Sequence, residues 1–236
     1  MRALLLADGQ ATRWTSPTPK HLVTIDGEVL LSRTVRQLRE RGLRDVWITS
    51  HNPQYRVPGT RRYEPANNIH KIDQFYACRE LWAALKADVV FLYADVWFSD
   101  SAMDTIVNHP TTDVSYFQRT GKSLITGKPW KEGFAMKVRN KDKFLSVLET
   151  IRFEIESGRQ TDQHHQIQGF IEGHGTGEYF EAVIGPHGVE IDDETDDFDT
   201  PDDIAIWERY VAAYRQQSQS QVPSSSCTPT GARSDP

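Results

Sequence analysis

Residues 2–20 read Arg2-Ala3-Leu4-Leu5-Leu6-Ala7-Asp8-Gly9-Gln10-Ala11-Thr12-Arg13-Trp14-Thr15-Ser16-Pro17-Thr18-Pro19-Lys20. The apolar run from Ala3 to Ala7 is far shorter than the about 20 residues a membrane-spanning helix needs. Asp8 also ends it before the roughly 7–15 apolar residues of an export signal. The run has the length of a strand buried on both faces. A loop rich in Gly, Thr, Ser and Pro follows over residues 8–19. Leu31, Val35 and Leu38 then recur at helical spacing, with Gly42 as a stop. Residues 45–49 read as a second strand, and 51–66 as a long loop. Ile72, Phe75, Cys78, Trp82 and Leu85 mark a second amphipathic helix, and 88–93 a third buried strand. Strand, helix, strand, helix, strand at this spacing predicts an α/β fold: one Rossmann-like domain, with a mostly parallel mixed sheet, right-handed crossovers and helices on its faces.

The second half is less regular. Residues 113–117, 134–138 and 179–184 read as strands. Phe144, Val147, Leu148, Ile151 and Ile155 mark a helix, and a last helix follows Thr200 through Ile204, Trp207, Tyr210 and Val211. This half completes the sheet and adds a smaller acceptor-side lid region. From Gln216 onward a single Val is the only aliphatic residue apart from one Ala. Such a segment buries too little apolar area to offset its ordering entropy, so the expected division is a domain over 1–215 and a disordered polar tail over 216–236.

The 236 residues carry 27 Lys and Arg against 33 Asp and Glu, a net charge of −6. Nucleic-acid binders are normally basic, so nucleic acid is not an expected partner, and neither is a membrane. The two cysteines, Cys78 and Cys227, are too far apart for a C-x-x-C metal site and too few for a disulfide framework. A reducing, cytoplasmic setting is the expectation.

In an open parallel sheet, ligands bind beyond the carboxyl ends of the strands. The loop after the first strand has a Gly that lets backbone N–H groups approach a phosphate, while Arg13 and Lys20 supply positive charge. A surface loop with two ordinary cations fits the composition equally well. Ordered as Leu6, Ala7, Gly9, Thr12, Arg13, Pro19 and Lys20, however, the stretch resembles the signature loop of the sugar-phosphate nucleotidyltransferase superfamily. Asp8 and Ala11 depart from that pattern, which has Ala or Gly at the first place and Gly at the second. The resemblance implies that Ala7, Asp8, Gly9, Gln10, Ala11 and Thr12 border the nucleotide and that Arg13 and Lys20 act in catalysis. Asn67 or Asn68, in the loop before the second helix, lies where the family reads its base, with Asn68 the candidate. The family's Gly-Thr pair appears here as Ile69-His70, so the base stays open.

Two acidic features complete the resemblance. Asp95 ends the third strand, where a lone carboxylate is costly without a partner. In the family an Asp here holds Mg²⁺, and Phe98 matches the aromatic that follows it. The run Asp197-Phe198-Asp199-Thr200-Pro201-Asp202 resembles the family's second metal-binding carboxylate, Asp199 being the best match and Asp197 the next. Thr200, Pro201, Asp202 and Asp203 also suit the start of a helix, with Thr200 as N-cap, and Asp100 reads as another N-cap. Lys131 and Glu132, beside Lys128 and Trp130 in a Gly- and Pro-bounded loop, are the acceptor-side candidates, although a plain surface loop fits them too.

The implied reaction is Mg²⁺-dependent transfer of a nucleoside monophosphate from a nucleoside triphosphate to a sugar phosphate or similar small phosphorylated alcohol. Two alternatives stay open. A glycosyltransferase of the related nucleotide-sugar-binding fold normally carries D-x-D after its central strand, whereas Asp95-Val96-Trp97 offers one acid. Asp8 and Ala11 motivate the other alternative, a non-catalytic nucleotide-binding module. Gly121-Lys122-Ser123 lacks the upstream Gly of a P-loop, and His164-His165 lacks a third ligand for zinc.

Overall fold

Strand β1 (Arg2–Leu6) alternates between two buried faces. Ala3 and Leu5 enter one apolar cluster, Leu4 and Leu6 the other. A computed structural model describes residues 1–9, 11–66, 73–129, 131–159, 165–173 and 185–220, with backbone alone for 73, 165–166 and 214–220. Gln10, Asn68, Trp130, His164 and the strand expected over 179–184 lie outside the described residues.

After β1, β2 (Thr24–Ile25) and β3 (Glu28–Val29) form an antiparallel hairpin. Its turn is Asp26-Gly27, both at positive φ (53° and 79°), the two-residue geometry that Asp-Gly favours. Helix α1 (Leu30–Glu40) buries Leu31, Val35 and Leu38. It stops at Gly42, whose φ of 82° lets Gly42 N–H and Leu43 N–H bond back to Arg39 and Leu38. Strand β4 (Asp45–Thr49) follows, then β5 (Arg61–Tyr63), inside the stretch expected to be loop. As an edge strand paired, among the described residues, only with β4, β5 lacks the apolar pattern of a buried one.

The helix expected through Ile72 and Leu85 is broken. Helix α2 (Asp73–Tyr76) gives way to a single 3-10 turn at Arg79–Leu81. The Trp82 indole N–H bonds to the Phe75 carbonyl at 2.9 Å, and both rings pack edge-on against Phe91. The apolar spacing is thus used for burial without a continuous helix. Strands β6 (Val89–Tyr93) and β7 (Val96–Trp97) precede α3 (Asp100–Asn108). The N-cap of α3 is Ser99, whose hydroxyl accepts from Ala102 N–H, and not Asp100, which pairs with Gln37 and Arg41.

The rest comprises β8 (Val114–Arg119), β9 (Glu132–Val138), α4 (Lys141–Glu156), α5 (His165–Ile171), β10 (Gly188–Glu190), β11 (Asp196–Asp197) and α6 (Pro201–Ser220). Helix α6 therefore extends past residue 216, where composition placed the tail. Among the described residues the central sheet has seven strands in the order β10-β8-β9-β6-β1-β4-β5. All its pairings are parallel except those of β9 with β6 and β8, which is the mostly parallel mixed sheet expected. The chain leaves β1 toward β4 and returns on its other side at β6, so the carboxyl end of β1 is the switch point. A third cluster, including Ile25, Trp97, Phe198 and Trp207, ties the hairpin and α6 to that end. Among the described residues no helix is long and apolar enough to cross a membrane.

Candidate active site

The sheet carries two of the expected residues to the switch point. Ala7 N–H bonds to the Thr49 carbonyl and Ala94 N–H to the Leu6 carbonyl, so β1 and β6 are held together up to the residues flanking the first loop and Asp95. The loop then turns back. Trp14 Nε1 donates to the Thr18 carbonyl at 2.8 Å. Pro19, fixed in an extended conformation, leads into a 3-10 turn at Lys20–Leu22. That turn buries Lys20 with its ammonium 2.7 Å from Asp95 Oδ2 and 3.7 Å from Asp199 Oδ1.

The late acidic run arrives through a two-strand pairing. Strand β11 lies antiparallel to β7, matching Asp196 with Trp97 and Asp197 with Val96, and Phe198 N–H bonds to the Asp95 carbonyl. Asp197 and Asp199 thereby come beside Asp95. Arg13, largely exposed, reaches Asp199 Oδ1 at 2.7 Å. Lys128 Nζ lies 3.2 Å from Asp197 Oδ1, 3.3 Å from Asp199 Oδ2 and 3.3 Å from Asp203 Oδ2. The Asp203 carboxylate also accepts from Asp199 N–H and Thr200 N–H. The start of α6 is thus braced from inside its first turn by Asp203.

Acids outnumber bases here. Burial pushes Asp197 up to about 7, nearby Asp199, Asp95 and Asp196 adding to the rise while Lys128 opposes it. Burial, with Asp197, likewise raises Glu132 well above the usual carboxylate range. For Asp95 burial acts upward, but the Lys20 ammonium and His21 outweigh it and hold the carboxyl below its ordinary value. Burial alone would lower Lys20, yet Asp95, Asp199 and Asp197 raise it.

Arg13, Lys20, Asp95, Asp197, Asp199 and Glu132 thus share one neighbourhood. Lys131 is turned elsewhere: its ammonium lies 5.9 Å from the Tyr116 ring centroid and feels Glu190 and Glu172. Asp8 accepts from both the backbone N–H and Nδ1 of His51, at 3.0 and 2.6 Å. Ala7 is buried, its carbonyl taken by Ser50 Oγ, whereas Gly9, Ala11 and Thr12 are exposed. Gln10 and Asn68 are outside the described residues.

Sequence reading gave Lys128 only an acceptor-side part and missed the latch behind it. Asp196, fully buried, accepts from Arg119 Nη1 (2.8 Å), Ser123 Oγ (2.5 Å) and Thr126 Oγ1 (2.9 Å). Ser123 N–H in turn bonds to the Lys128 carbonyl. A Lys between Gly127 and Pro129 was the available signal. Nothing in the local sequence marks Asp196 as different from its acidic neighbours.

Residues 3–124 match a family model described as the MobA-like NTP transferase domain. Among solved structures, CTP:phosphocholine cytidylyltransferase from Streptococcus pneumoniae is similar at a TM-score of 0.55 and 15% identity, covering 89% of this chain and 98% of that one. UDP-glucose pyrophosphorylase from Acinetobacter baumanii is similar at a TM-score of 0.59 and 12% identity, covering 93% of this chain and 98% of that one. Identities this low establish a shared fold. No curated protein matches the chain in sequence.

Proposed function

Because the chain belongs to the MobA-like NTP transferase domain family, and is a nucleotidyltransferase by that membership, we propose that it transfers a nucleoside monophosphate from a nucleoside triphosphate to a sugar phosphate or similar small phosphorylated alcohol. The observation that carries this reading is the convergence of Lys20 on both Asp95 and Asp199, at 2.7 and 3.7 Å, from three distant parts of the chain. An oxygen of the acceptor phosphate forms a bond to the α-phosphorus. The bond from that phosphorus to the β-bridging oxygen breaks, its electron pair leaving with pyrophosphate. No enzyme nucleophile is required, so the protein's work is positioning and charge neutralisation. Arg13 and Lys20 supply positive charge for the departing pyrophosphate. Lys128 holds Asp197, Asp199 and Asp203 in place, and the Asp196 latch holds the Lys128 loop.

A divalent cation fits the donor set. Among the described residues no group of three or more His, Cys, Asp or Glu is arranged to hold a metal by itself. Mg²⁺, however, is usually bound by one or two carboxylates together with substrate phosphates. Asp95 and Asp199 meet that need, with Asp197 behind them; burial first, and the neighbouring carboxylates in addition, raise Asp197 and Glu132, and an added cation would relieve that carboxylate repulsion. Mg²⁺ bound there would neutralise charge on the α-phosphate and the attacking oxygen.

Pyrophosphate release over a panel of nucleoside triphosphates and phosphorylated acceptors tests the reading. Turnover is expected with at least one pair, and Asp95→Ala is expected to abolish it while the far-ultraviolet circular dichroism stays unchanged. Triphosphate binding without turnover on any acceptor would leave a binding module instead.

A further inference from the structure

Beyond the carboxyl ends of β4, β1 and β6, the residues His51, Asp8 and Asp95 stand in one row. Leu6 pairs in register with Thr49 on β4 and with Tyr93 on β6, and each of the three residues lies two positions past that level. Neighbouring strands are about 4.8 Å apart, so Asp8 sits between the other two and the backbones at His51 and Asp95 are about 10 Å apart along the rim. Asp8 fixes the ring of His51: its Oδ1 accepts from the His51 backbone N–H at 3.0 Å and lies 2.6 Å from Nδ1. An ionised carboxylate only accepts hydrogen bonds, so Nδ1 carries the hydrogen and Nε2 is the ring nitrogen left to meet a ligand. Nε2 has no hydrogen-bond partner among the described residues, and the His51 side chain is 42% exposed against 10% for Asp8. A Cβ on Gly9, the next residue of the first loop, would meet nothing nearer than Gln74 Nε2 at 4.0 Å, so the described residues leave open space beside the pair. Four residues after His51, Tyr55 packs edge-on to His21 with ring centroids 4.9 Å apart, which seats the loop after β4 against the turn that carries Lys20.

The two flanks of this row differ. On the far side of β6 comes β9, whose first residue is Glu132, and there Asp197, Asp199 and Lys128 gather. With the α-phosphate at Asp95 and the acceptor on the β9 flank, the nucleoside is left the β4 flank. Its ribose is one ester link from the α-phosphate, whereas the base lies a further ring away. A hydroxyl also suits Nε2 in either protonation state, donating to the lone pair of the neutral ring or accepting from the N–H of the charged one. We infer that His51 is a specificity-determining residue that hydrogen-bonds a ribose hydroxyl of the nucleoside triphosphate, with Asp8 as its positioning residue. The acid that departs from the family pattern thereby selects ribonucleotides over deoxyribonucleotides. This assignment rests on the nucleotidyltransferase reading above.

The probes are ATP, CTP, GTP and UTP, each with its 2′-deoxy and 3′-deoxy counterparts, in the presence of Mg²⁺. At least one ribonucleoside triphosphate should raise the Tm of the full chain, and one of its deoxy counterparts at the same concentration should raise it less. In turnover, KM for that counterpart should be about tenfold or more higher, because it leaves Nε2 without its hydrogen bond. His51→Phe keeps a ring but no Nε2. It should raise KM for the ribonucleotide to about that of the deoxy form, the loss falling on KM and not on kcat. Asp8→Ala should lose most of the ribose preference, and Asp8→Asn, whose amide oxygen can still accept from Nδ1, should retain it. A variant that merely misfolds would weaken ribo and deoxy forms alike, so the ratio between them isolates the contact. Equal responses to ribo and deoxy forms, preference for a deoxy form, or a ratio that survives in His51→Phe would each overturn the assignment. Asp8→Ala with the full ratio, or Asp8→Asn losing as much as Asp8→Ala, would overturn the part given to Asp8. The Tm readout needs no turnover. Ribose-selective binding through His51 without any pyrophosphate release sinks only the reaction, whereas turnover indifferent to the ribose hydroxyls sinks only the assignment.

Discussion

Asp196→Ala should be among the most destabilising single changes in the protein. Asp196 is 0% exposed, and the Arg119 side chain it neutralises at 2.8 Å is 3% exposed. Removing one partner of such a pair leaves the other charge buried and uncompensated, at a cost of about 3–5 kcal/mol. Ser123 Oγ and Thr126 Oγ1 also lose their shared acceptor, which would add about 1 kcal/mol each if the effects were independent. They are not independent, since the loop can relax around all three, so about 4 kcal/mol is the expected total. Against a typical stability of roughly 5–15 kcal/mol, that is a drop in Tm of about 8–16 °C for a chain of this length. Urea unfolding followed by tryptophan fluorescence measures it. Arg119→Met should cost a similar amount by orphaning the carboxylate. The double variant, in which neither charge remains, should be more stable than the sum of the singles requires by about 2 kcal/mol or more. An Asp196→Ala loss under about 1 kcal/mol, or strict additivity in the double variant, would refute the reasoning. Turnover by the single variant, measured at a temperature where it is folded, should also fall, because the loop bearing Lys128 is no longer latched.

Lys20→Met should reduce kcat by about 10²–10³ through loss of charge at the leaving group, with circular dichroism preserved; a loss below tenfold would contradict the role given to that ammonium. His21 is buried against Tyr55, and burial lowers its pKa from 6.5 to about 4, with Asp95 opposing and Lys20 reinforcing. It contributes nothing to the pH dependence of stability above pH 6.5. Between 6.5 and 4 the unfolded chain takes up a proton that the native state refuses, so stability falls as pH falls, by about 2 kcal/mol at pH 5. His21→Phe, which keeps a ring edge-on to Tyr55, should lose this slope relative to wild type; parallel urea midpoints from pH 7.5 to 5 would rule it out. Trp82→Ala should cost about 3–5 kcal/mol, since Trp82 is fully buried against Phe91 and Phe144, and a loss under about 1 kcal/mol would deny that cluster its place in the core.

Where burial alone sets the pattern, the elements could be read from composition and period. Strand β1, helix α1 with its Gly42 stop, β4, β6 and α4 all bury a face along their length, and an apolar period is the direct trace of that. Strand β5 left no such trace, because an edge strand is held by backbone bonds to one neighbour. The segment around Trp82 kept the apolar trace but not the helix, since its aromatic rings and indole N–H took up the carbonyl a helix would have used.

The first loop and the two acidic stretches were visible as separate local patterns, each with cations or carboxylates at a recognisable spacing. Their meeting is a long-range matter: β11 must lie against β7 before Asp197 and Asp199 stand beside Asp95. Long-range pairing also divided two consecutive residues between surroundings, Glu132 joining the acidic cluster while Lys131 lies over Tyr116. It likewise separated Asp196, spent on Arg119, from Asp199, left to Arg13, Lys20 and Lys128. The chain by itself determined which segments are buried and which carry charge, because those properties belong to single residues and their near neighbours. Which charges face one another is a property of pairs far apart in sequence, and only the packed sheet, with its hairpin and final helix, decided it.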